Sequence, residues 1–461
     1  MRTWQSFRTL RRMDHDLLAK YDGHVPRYTS YPPATRFHQG ISAASYRRWL
    51  EETPKDAALS LYLHIPYCEN LCWFCGCHTK MVQRYEPIAA YLELLGREID
   101  LIARILGEQR RVSHVHWGGG TPTILLADDI LALSDRLRRR FEFVPGADFA
   151  VEIDPRRLTV DRVAALAAAG VTRASLGVQD VSPAVQREIN RRQSLAVTAR
   201  AAAWLRDAGI DAINVDLMYG LPRQTVARIL ATCDAVLTLQ PQRIAIFGYA
   251  HVPWLKRHQR MIDESTLPGP VDRFAQFAAA SRRLGDAGYV AVGLDHFARP
   301  DDTLAVAARN GRLRRNFQGY TTDETSVLLG FGASAIGVLP QGYVQNAVPV
   351  HAYRAAINAD TLAVARGVAL NAEDRLRREV IEQLMCNFTV DLSETCRRHG
   401  READHFAPEL VRLARLEADG LVAVEGNRIR VSDDGRTLVR TLCAVFDDYI
   451  DAGEKRHAHA I

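Results

Sequence analysis

The sequence contains no apolar run that approaches the roughly 20 residues a membrane-spanning helix needs. Its N-terminus also lacks the apolar core of a signal peptide. We therefore expect a soluble cytoplasmic protein without a membrane span. The 59 basic and 54 acidic residues leave a formal net charge of only +5. This small excess argues against a nucleic-acid partner, and the Arg-rich, acid-free segment 1–12 is interpreted as a solvated arm.

Cysteine is scarce, and its distribution is uneven. The sequence holds eight cysteines, of which four fall within the ten residues 68–77. The other four are scattered, and they are Cys233, Cys386, Cys396 and Cys443. In a cytoplasmic protein a tight cluster indicates metal or redox chemistry, whereas scattered thiols behave as small buried hydrophobic side chains.

A repeating pattern between about Leu59 and Val350 predicts βα units. Short apolar runs there alternate with amphipathic segments of helical period, which is typical of helices packed around a parallel sheet. The predicted strands begin at Leu59, His114, Phe149, Arg173, Ala212, Arg243 and Val290. The predicted helices are Ile88 to Ile105, Ala127 to Arg140, Val160 to Ala168, Ala196 to Ala208, Val226 to Leu239 and Val271 to Ala287. Three of the helices stop at an Ala-Gly pair, where glycine can take the left-handed conformation. We expect an α/β fold, with a full or partial barrel.

The 461 residues suggest about three domains, or one large barrel with appendages. We expect an N-terminal arm at 1–55, the partial barrel at 56–360 and a C-terminal domain at 361–461. In the last segment, helices at Asp374 to Met385 and Leu410 to Asp419 precede two short strands joined by a turn at 425–427. This order resembles a winged-helix module. Because no basic face is concentrated there, a structural or substrate-covering role is favoured over DNA binding.

Three cysteines stand in a C-x3-C-x2-C pattern directly after the first predicted strand. Cys68, Cys72 and Cys75 therefore lie on a loop at the strand's C-terminal end. Zinc usually takes four ligands in two separated pairs, and no second pair is visible. Electron-transfer 4Fe-4S clusters use four cysteines, so three ligands predict a cluster with one open iron. Cys77 is an alternative that would supply a fourth ligand.

Other glycine and polar residues also fall at predicted strand ends. They are Gly118 to Thr123, Glu152 to Pro155, Gly177 to Asp180, Asp216, and Tyr249 with Ala250. Each taken singly could be a turn or a cap, but together they indicate a composite site on the C-terminal face. Glycines allow close backbone approach to a methionine moiety. Glu152, Gln179 and Arg191 could bind its ammonium and carboxylate groups, and Asp216 could accept hydrogen bonds from ribose hydroxyls.

The cysteine pattern followed by Gly76-Cys77, together with the GGGTPT run, resembles the radical S-adenosylmethionine superfamily. More narrowly, several segments resemble the family of oxygen-independent coproporphyrinogen III oxidases, also called coproporphyrinogen dehydrogenases. These segments are RYTSYP at 27–32, YLHIPYC at 62–68, VQD at 178–180, DLMYGLP at 216–222, DHFARP at 295–300 and NFQGYTT at 316–322. The resemblance extends over nearly the whole chain, and its motifs are highly specific.

The resemblance implies a partial barrel, a 4Fe-4S cluster on Cys68, Cys72 and Cys75, and two S-adenosylmethionine molecules. The molecule on the open iron would contact Tyr62, Gly119, Glu152 and Ile336. The second would be held by Phe74, Gly120, Thr121, Gln179, Arg191, Asp216 and Ala250. Phe317 and Gln318 would lie near the second molecule, and Arg27 and Tyr28 would lie on an arm that helps close over substrate. Cys77 matches a family cysteine that does not bind the cluster.

The implied activity is that of an oxidoreductase of haem biosynthesis. A 5′-deoxyadenosyl radical would remove a hydrogen from the β-carbon of a propionate, and loss of CO2 and one electron would leave a vinyl group. Two such steps convert coproporphyrinogen III to protoporphyrinogen IX. Arg27, Arg191 and Arg299 are candidates for binding the substrate carboxylates. An electron donor and an electron acceptor of unknown identity are required, and we expect a monomer.

Two other functions were weighed. A haem-binding or haem-transfer relative would keep the cluster motif without decarboxylating anything, but such relatives usually lack the RYTSYP arm, Cys77 and the NFQGYTT segment, and this chain has all three. A binding module acting through the C-terminal segment is supported only by the shape of that segment.

Overall fold

The computed structural model describes residues 17, 20–21, 23–107 and 109–450. The Arg-rich segment 1–12, predicted to be a solvated arm, lies outside these residues. Every helix in the described part of the chain is too short or too polar to cross a membrane.

The strands alternate with helices along most of the chain. The strands are β1 (Leu59–Ile65), β2 (Tyr67–Cys68), β3 (Lys80–Met81), β4 (Arg110–Gly119), β5 (Phe141–Ile153), β6 (Arg173–Gln179), β7 (Ala212–Tyr219), β8 (Arg243–Gly248), β9 (Val290–Val292), β10 (His296–Ala298), β11 (Arg314–Asn316), β12 (Gly319–Thr321), β13 (Val327–Phe331), β14 (Ile336–Leu339), β15 (Gly342–Asn346), β16 (Val364–Ala369), β17 (Thr389–Asp391), β18 (Val422–Glu425) and β19 (Arg428–Val431). The α-helices are α1 (Ala43–Glu51), α2 (Glu86–Leu106), α3 (Ala127–Arg140), α4 (Val160–Ala169), α5 (Pro183–Glu188), α6 (Leu195–Asp207), α7 (Val226–Leu237), α8 (Pro270–Asp286), α9 (Thr303–Arg309), α10 (Val350–Asn358), α11 (Ala372–Asn387), α12 (Leu392–Arg398), α13 (Ala407–Ala418) and α14 (Val439–Cys443).

A single twelve-stranded sheet organises the barrel, in the order β16-β15-β14-β13-β1-β4-β5-β6-β7-β8-β10-β9. The strands from β13 through β8 pair in parallel, and the strands at both ends pair antiparallel. The C-terminal ends of β1 and β4 to β8 therefore meet at one edge of the sheet. Among the described residues the sheet has two ends, so the barrel is partial, and the predicted fold class is confirmed.

Two strands are longer than predicted. β4 begins at Arg110 and not at His114, and β5 begins at Phe141 and not at Phe149. The sequence Pro145-Gly146 within β5 has the composition of a turn. The pairing of β4 with β5 nevertheless continues past it, because the register shifts between Val112 and His114 and leaves residues 144–147 unpaired with β4. The predicted glycine ends of the helices are confirmed, with φ of +88°, +83° and +90° at residues 170, 209 and 288.

A second hydrophobic cluster forms the C-terminal unit. Helices α11, α12 and α13 pack with a three-stranded sheet in the order β17-β19-β18. The two predicted strands are present, and β17 is an additional strand that its three residues did not indicate. Tyr28 and Tyr31 of the N-terminal arm are buried in the same cluster. This contact fixes the arm between the barrel and the C-terminal unit.

The end of the barrel lies slightly beyond residue 360. β16 begins at Val364 and pairs with β15 of the main sheet, and His38 of the arm forms a bridge to Gly367. Since β16 belongs to the barrel sheet, we place the proposed boundary between the barrel and the C-terminal unit near residue 370.

Candidate functional site

The C-terminal ends of the parallel strands border a cavity of about 580 Å³, here called the cluster cavity. Its wall is formed by the C-terminal parts of β4 to β8 and by the loops that follow β1, β4, β5, β6 and β8. The sequence-predicted residues that line it are Arg27, Cys68, Cys72, Phe74, Cys75, Gly119, Gly120, Thr121, Glu152, Gln179, Arg191, Asp216 and Ala250. The structure thus brings together residues that are more than 200 positions apart in sequence, because parallel strands present their C-terminal ends on one side.

The loop that carries the cysteines is fastened to its neighbours by hydrogen bonds to its backbone. The side-chain amide of Asn190 donates to the carbonyl of Leu71 at 2.9 Å, and Nε2 of His258 lies 2.7 Å from the carbonyl oxygen of Cys75. Lys256 donates to the carbonyl of residue 77 at 2.9 Å. Residues from the loops after β6 and β8 therefore hold the cysteines in position.

Two arginines direct their guanidinium groups at one thiol. Nη2 of Arg156 lies 3.6 Å and Nη1 of Arg191 lies 3.5 Å from Sγ of Cys72. Both arginines pair with Asp154, at 2.6 Å and 3.5 Å respectively. Burial acts to raise the pKa of Asp154, but Arg191 and Arg156 outweigh it and lower that pKa to about 2. Asp154 therefore stays ionised and fixes two positive charges beside the thiol.

The other thiols have different surroundings. The Thr79 hydroxyl donates to Sγ of Cys68 at 3.2 Å. Cys77 is exposed, and its thiol lies close to that of Cys75. Cys77 therefore lies beside the predicted ligands, and its exclusion from the ligand set stays a prediction.

The glycine run at the end of β4 forms a floor of the cavity, and side chains at these positions would fill the space above it. A Cβ on Gly119 would lie 2.7 Å from the imidazole of His64, and φ at this glycine is +114°. A Cβ on Gly120 would overlap the carbonyl oxygen of Tyr67. The backbone N–H of Gly119 donates to Glu152 at 3.0 Å. Glycine is needed here because the backbone approaches its neighbours too closely for any side chain.

Two carboxylates face the inside of the barrel. Glu152 contacts His116 at 3.1 Å, and this contact, against the effect of burial, lowers the pKa of Glu152. Asp216 accepts hydrogen bonds from Ser175 at 2.7 Å and Asn214 at 2.8 Å. Burial raises the pKa of Asp216. Their neighbours fix both carboxylates in orientation while leaving acceptor capacity for a bound molecule.

The wall suits the cofactors that the cysteine pattern implies. Three thiols border one cavity, and the donor set is the one that a 4Fe-4S cluster uses. Nε of Arg191 is buried and has no hydrogen-bond partner among the described residues, which leaves a donor for a bound carboxylate. The glycine floor leaves room for a ligand to approach the backbone.

Five other predicted residues lie away from this wall. Tyr62 and Gln318 line a neighbouring cavity of about 210 Å³, which Glu152 and Asp216 also border. Tyr28 is buried in the C-terminal cluster and donates to Asp447 at 3.0 Å. The other two, Phe317 and Ile336, pack against a small hydrophobic cluster around Phe37 and Tyr343.

The three arginines proposed for the substrate carboxylates are separated. Arg27 lines the cluster cavity and donates to the carbonyl of Gly248 at 3.2 Å, and Arg191 is engaged by Asp154. Arg299 is on the opposite side, so its proposed role is wrong. It follows β10, and β10 runs antiparallel to β8, which places Arg299 near the start of β8.

Sequence reasoning missed several residues of the site. Asp154 was noticed only as part of a strand end, although a carboxylate followed two positions later by Arg156 could have suggested a local ion pair. Thr79, Lys256 and His258 lie on loops of irregular spacing, and no sequence signal marks them. Their role comes from the contacts described above.

Known proteins resemble this chain over almost its whole length. Residues 62–236 match the model of the radical SAM superfamily, and residues 370–438 match the HemN C-terminal domain. The oxygen-independent coproporphyrinogen III oxidase of Bradyrhizobium diazoefficiens is 51% identical over 97% of this chain and 100% of its own length. The enzyme of the same name from Paracoccus denitrificans is 43% identical over 96% of this chain and 98% of its own. The solved structure of coproporphyrinogen III oxidase (HemN) from Escherichia coli, described as a radical SAM enzyme, has a TM-score of 0.89 at 40% identity and covers 95% of this chain and 100% of its own.

Proposed function

Because this chain belongs to the family of the oxygen-independent coproporphyrinogen III oxidases, we propose that it converts coproporphyrinogen III to protoporphyrinogen IX in haem biosynthesis. The reaction decarboxylates two propionate side chains to vinyl groups without O2. Each decarboxylation removes one hydrogen atom from the β-carbon, releases CO2 and passes one electron to an acceptor. The observation that carries the proposal is the cluster cavity, in which three thiols, a glycine floor and two oriented carboxylates meet.

A 4Fe-4S cluster and S-adenosylmethionine supply the radical chemistry when they are bound. Cys68, Cys72 and Cys75 hold the cluster in this proposal. Arg156 and Arg191 stabilise the negative charge of the Cys72 thiolate, since both guanidinium groups donate toward its sulfur. Their charge is in turn held in place by Asp154.

The S-adenosylmethionine contacts follow from the resemblance, and the geometry supports several of them. Gly119 and Glu152 are joined by a hydrogen bond at the floor of the cavity. Tyr62 on β1 pairs with Gly330 on β13, and Gly330 packs against the backbone of Ile336. These four residues contact the molecule on the open iron in our proposal.

A second S-adenosylmethionine is proposed in the same cavity. Asp216 offers carboxylate oxygens there, and Arg191 offers its buried Nε. The remaining residues proposed for this molecule are Phe74, Gly120, Thr121, Gln179 and Ala250, all of which line the cluster cavity. Phe317 and Gln318 are proposed to lie near it.

The wider setting of the enzyme is also a proposal. We infer an N-terminal arm at 1–55, a barrel from 56 to about 370 and a C-terminal unit thereafter. We infer a cytoplasmic monomer that takes electrons from a separate donor and passes electrons to a separate acceptor. Residues 23–31 support a closing role for the arm, because Tyr28 anchors this stretch while Arg27 reaches the cavity.

An anaerobic assay tests the proposed function. The cluster is reconstituted, and reductant, S-adenosylmethionine and coproporphyrinogen III are added. We expect protoporphyrinogen IX and 5′-deoxyadenosine as products. Haem binding without decarboxylation would refute the proposal in favour of a haem-handling relative.

A further inference from the structure

A second cavity of about 370 Å³ lies next to the cluster cavity. The two share Arg27, Gly248, Tyr249 and Ala250, so a ligand that spans both would pass beside Arg27. We call this cavity the arginine pocket, because Arg27, Arg273, Arg315 and Arg440 line it. None of the last three was singled out in the sequence.

The four arginines come from four separate elements of the chain. Arg27 lies on the arm, Arg273 on α8, Arg315 on β11 and Arg440 on α14. Arg27 belongs to the arm, Arg273 to a helix of the barrel and Arg440 to the C-terminal unit. The pocket therefore forms only when the arm, the barrel and the C-terminal unit pack together. Such convergence is a property of the tertiary structure and not of any local motif.

The charge of the pocket is strongly positive. Asp295 is the carboxylate that lines it among the described residues, against the four guanidinium groups. Arg440 is only 8% exposed. Burial, followed by the proximity of Arg27 and Arg315, lowers the pKa of Arg440 to about 10. Like charges brought together in this way are unfavourable in the folded protein and are stabilised when an anion binds among them.

Arg315 has unpaired hydrogen-bond donors among the described residues. Its Nη2 group donates to the carbonyl oxygen of Arg27 at 3.4 Å. Its guanidinium also makes a cation–π contact with Tyr320, 4.5 Å from the centroid of the ring. Its Nε and Nη1 groups have no hydrogen-bond partner among the described residues. Unpaired N–H groups of a guanidinium are strong donors to the oxygens of a carboxylate.

Most of the remaining wall of the pocket is apolar and aromatic, although His24, His251 and Thr437 also border it. Its aromatic side chains are Tyr219, Tyr249, Trp254, Phe274 and Phe277. Trp254 is 56% exposed, which is unusual for so large an apolar side chain. An aromatic wall combined with a ring of guanidinium groups fits a flat, largely apolar molecule that carries several carboxylates.

We propose that the arginine pocket binds the propionate carboxylates of the tetrapyrrole that are not undergoing reaction, while the reacting propionate extends into the cluster cavity. This inference rests on the proposed function. Arg27 borders both cavities, so its guanidinium contacts the part of the substrate that passes from one cavity to the other. Arg315 donates a hydrogen bond to one carboxylate, and Arg273 and Arg440 add positive charge around it.

Equilibrium binding of coproporphyrin III, the stable oxidised form of the substrate, tests the pocket without turnover. Fluorescence titration of the full-length reconstituted protein compares the wild type with Arg27→Gln and Arg315→Gln. We expect the Kd to rise at least tenfold in each variant, and the KM for coproporphyrinogen III to rise in proportion while kcat changes less. Iron content should be unchanged, because neither residue contacts a thiol.

Arg299→Gln is the matched control, since Arg299 is exposed and lies near the N-terminal end of β8, whereas the pocket lies at the C-terminal end of that strand. Its Kd should equal that of the wild type. Arg315→Lys should recover part of the lost affinity, because it restores the charge without the planar guanidinium donors. Added salt should weaken binding to the wild type more steeply than binding to Arg315→Gln.

The failure of this proposal differs from the failure of the proposed function. If the wild type decarboxylates coproporphyrinogen III but both arginine variants keep the wild-type Kd and KM, the assignment of the pocket is wrong. A wild type that neither binds coproporphyrin III nor decarboxylates coproporphyrinogen III would overturn the function and the pocket together. A rise in Kd accompanied by loss of iron would also overturn the assignment, because it would place the defect at the cluster.

Discussion

Replacing Asp154 by asparagine should test the charge network behind the cysteines. The side chains of Asp154 and Arg156 are each 15% exposed, and that of Arg191 is 8% exposed. Asparagine keeps the size of the side chain but removes the charge that both arginines face. Two largely buried guanidinium groups would then lie side by side without their carboxylate.

The structure gives the size of the expected effect. Moving the pKa of Asp154 from its usual 3.8 to about 2 corresponds to roughly 2 kcal/mol of folding free energy. Removing one partner of a buried ion pair costs about 3–5 kcal/mol in other proteins. We therefore expect Asp154→Asn to lose about 2–4 kcal/mol. Because the folded pKa is lowered, the contribution is complete above pH 4 and is lost only as the pH falls through about 2, so the loss should be constant between pH 6 and 8.

Denaturant unfolding of the wild type and the variant measures this loss, and iron per chain measures its effect on the cluster. Glu142→Gln is a matched control, because Glu142 is an exposed carboxylate on the same strand, β5. We expect the control to unfold like the wild type and Asp154→Asn to retain less iron. If Asp154→Asn unfolds within about 0.5 kcal/mol of the wild type at pH 7, the network does not hold the site as argued.

Three further predictions concern the glycine floor, a buried carboxyl and the fourth cysteine. Gly120→Ala should lower activity at least tenfold because its Cβ would overlap a backbone carbonyl, whereas Gly285→Ala, with open space around its Cβ, should remain active in the same assay. Burial raises the pKa of Glu98 to about 7, so stability should fall by roughly 3 kcal/mol as the pH rises from 5 to 8, and Glu98→Gln should abolish that slope in denaturant unfolding. Cys77→Ser should keep the iron content of the wild type while Cys72→Ser loses it, and iron loss from both would show that Cys77 is a ligand.

The barrel was predictable because its evidence is local and repetitive. Apolar runs alternate with helical periods, and an Ala-Gly pair ends each of three helices, so strand and helix order could be read along the chain. The helix at 127–140 and the strand at 428–431 have the predicted bounds. The start of β5 was missed because its pairing with β4 continues through a Pro-Gly pair, and only the neighbouring strand decides that.

The cysteine loop and the strand ends were also predictable, since three thiols at fixed spacing and parallel strands that end on one side follow from the sequence itself. The ion pair of Asp154 with Arg191 and the hydrogen bond of His258 to the loop depend on which loops lie opposite one another.

Arg299 marks the limit of reasoning from sequence. It is part of the DHFARP motif at 295–300, yet the reversal of β10 relative to β8 takes it away from the site. Conversely, Arg315 and Arg440 carry no motif, and the packing of the C-terminal unit on the barrel brings them to one pocket. The sequence by itself determined the cofactor chemistry, because cluster ligation depends on a short spacing. Only the tertiary structure decided where the charges that surround a substrate converge, because those charges come from segments that are hundreds of residues apart.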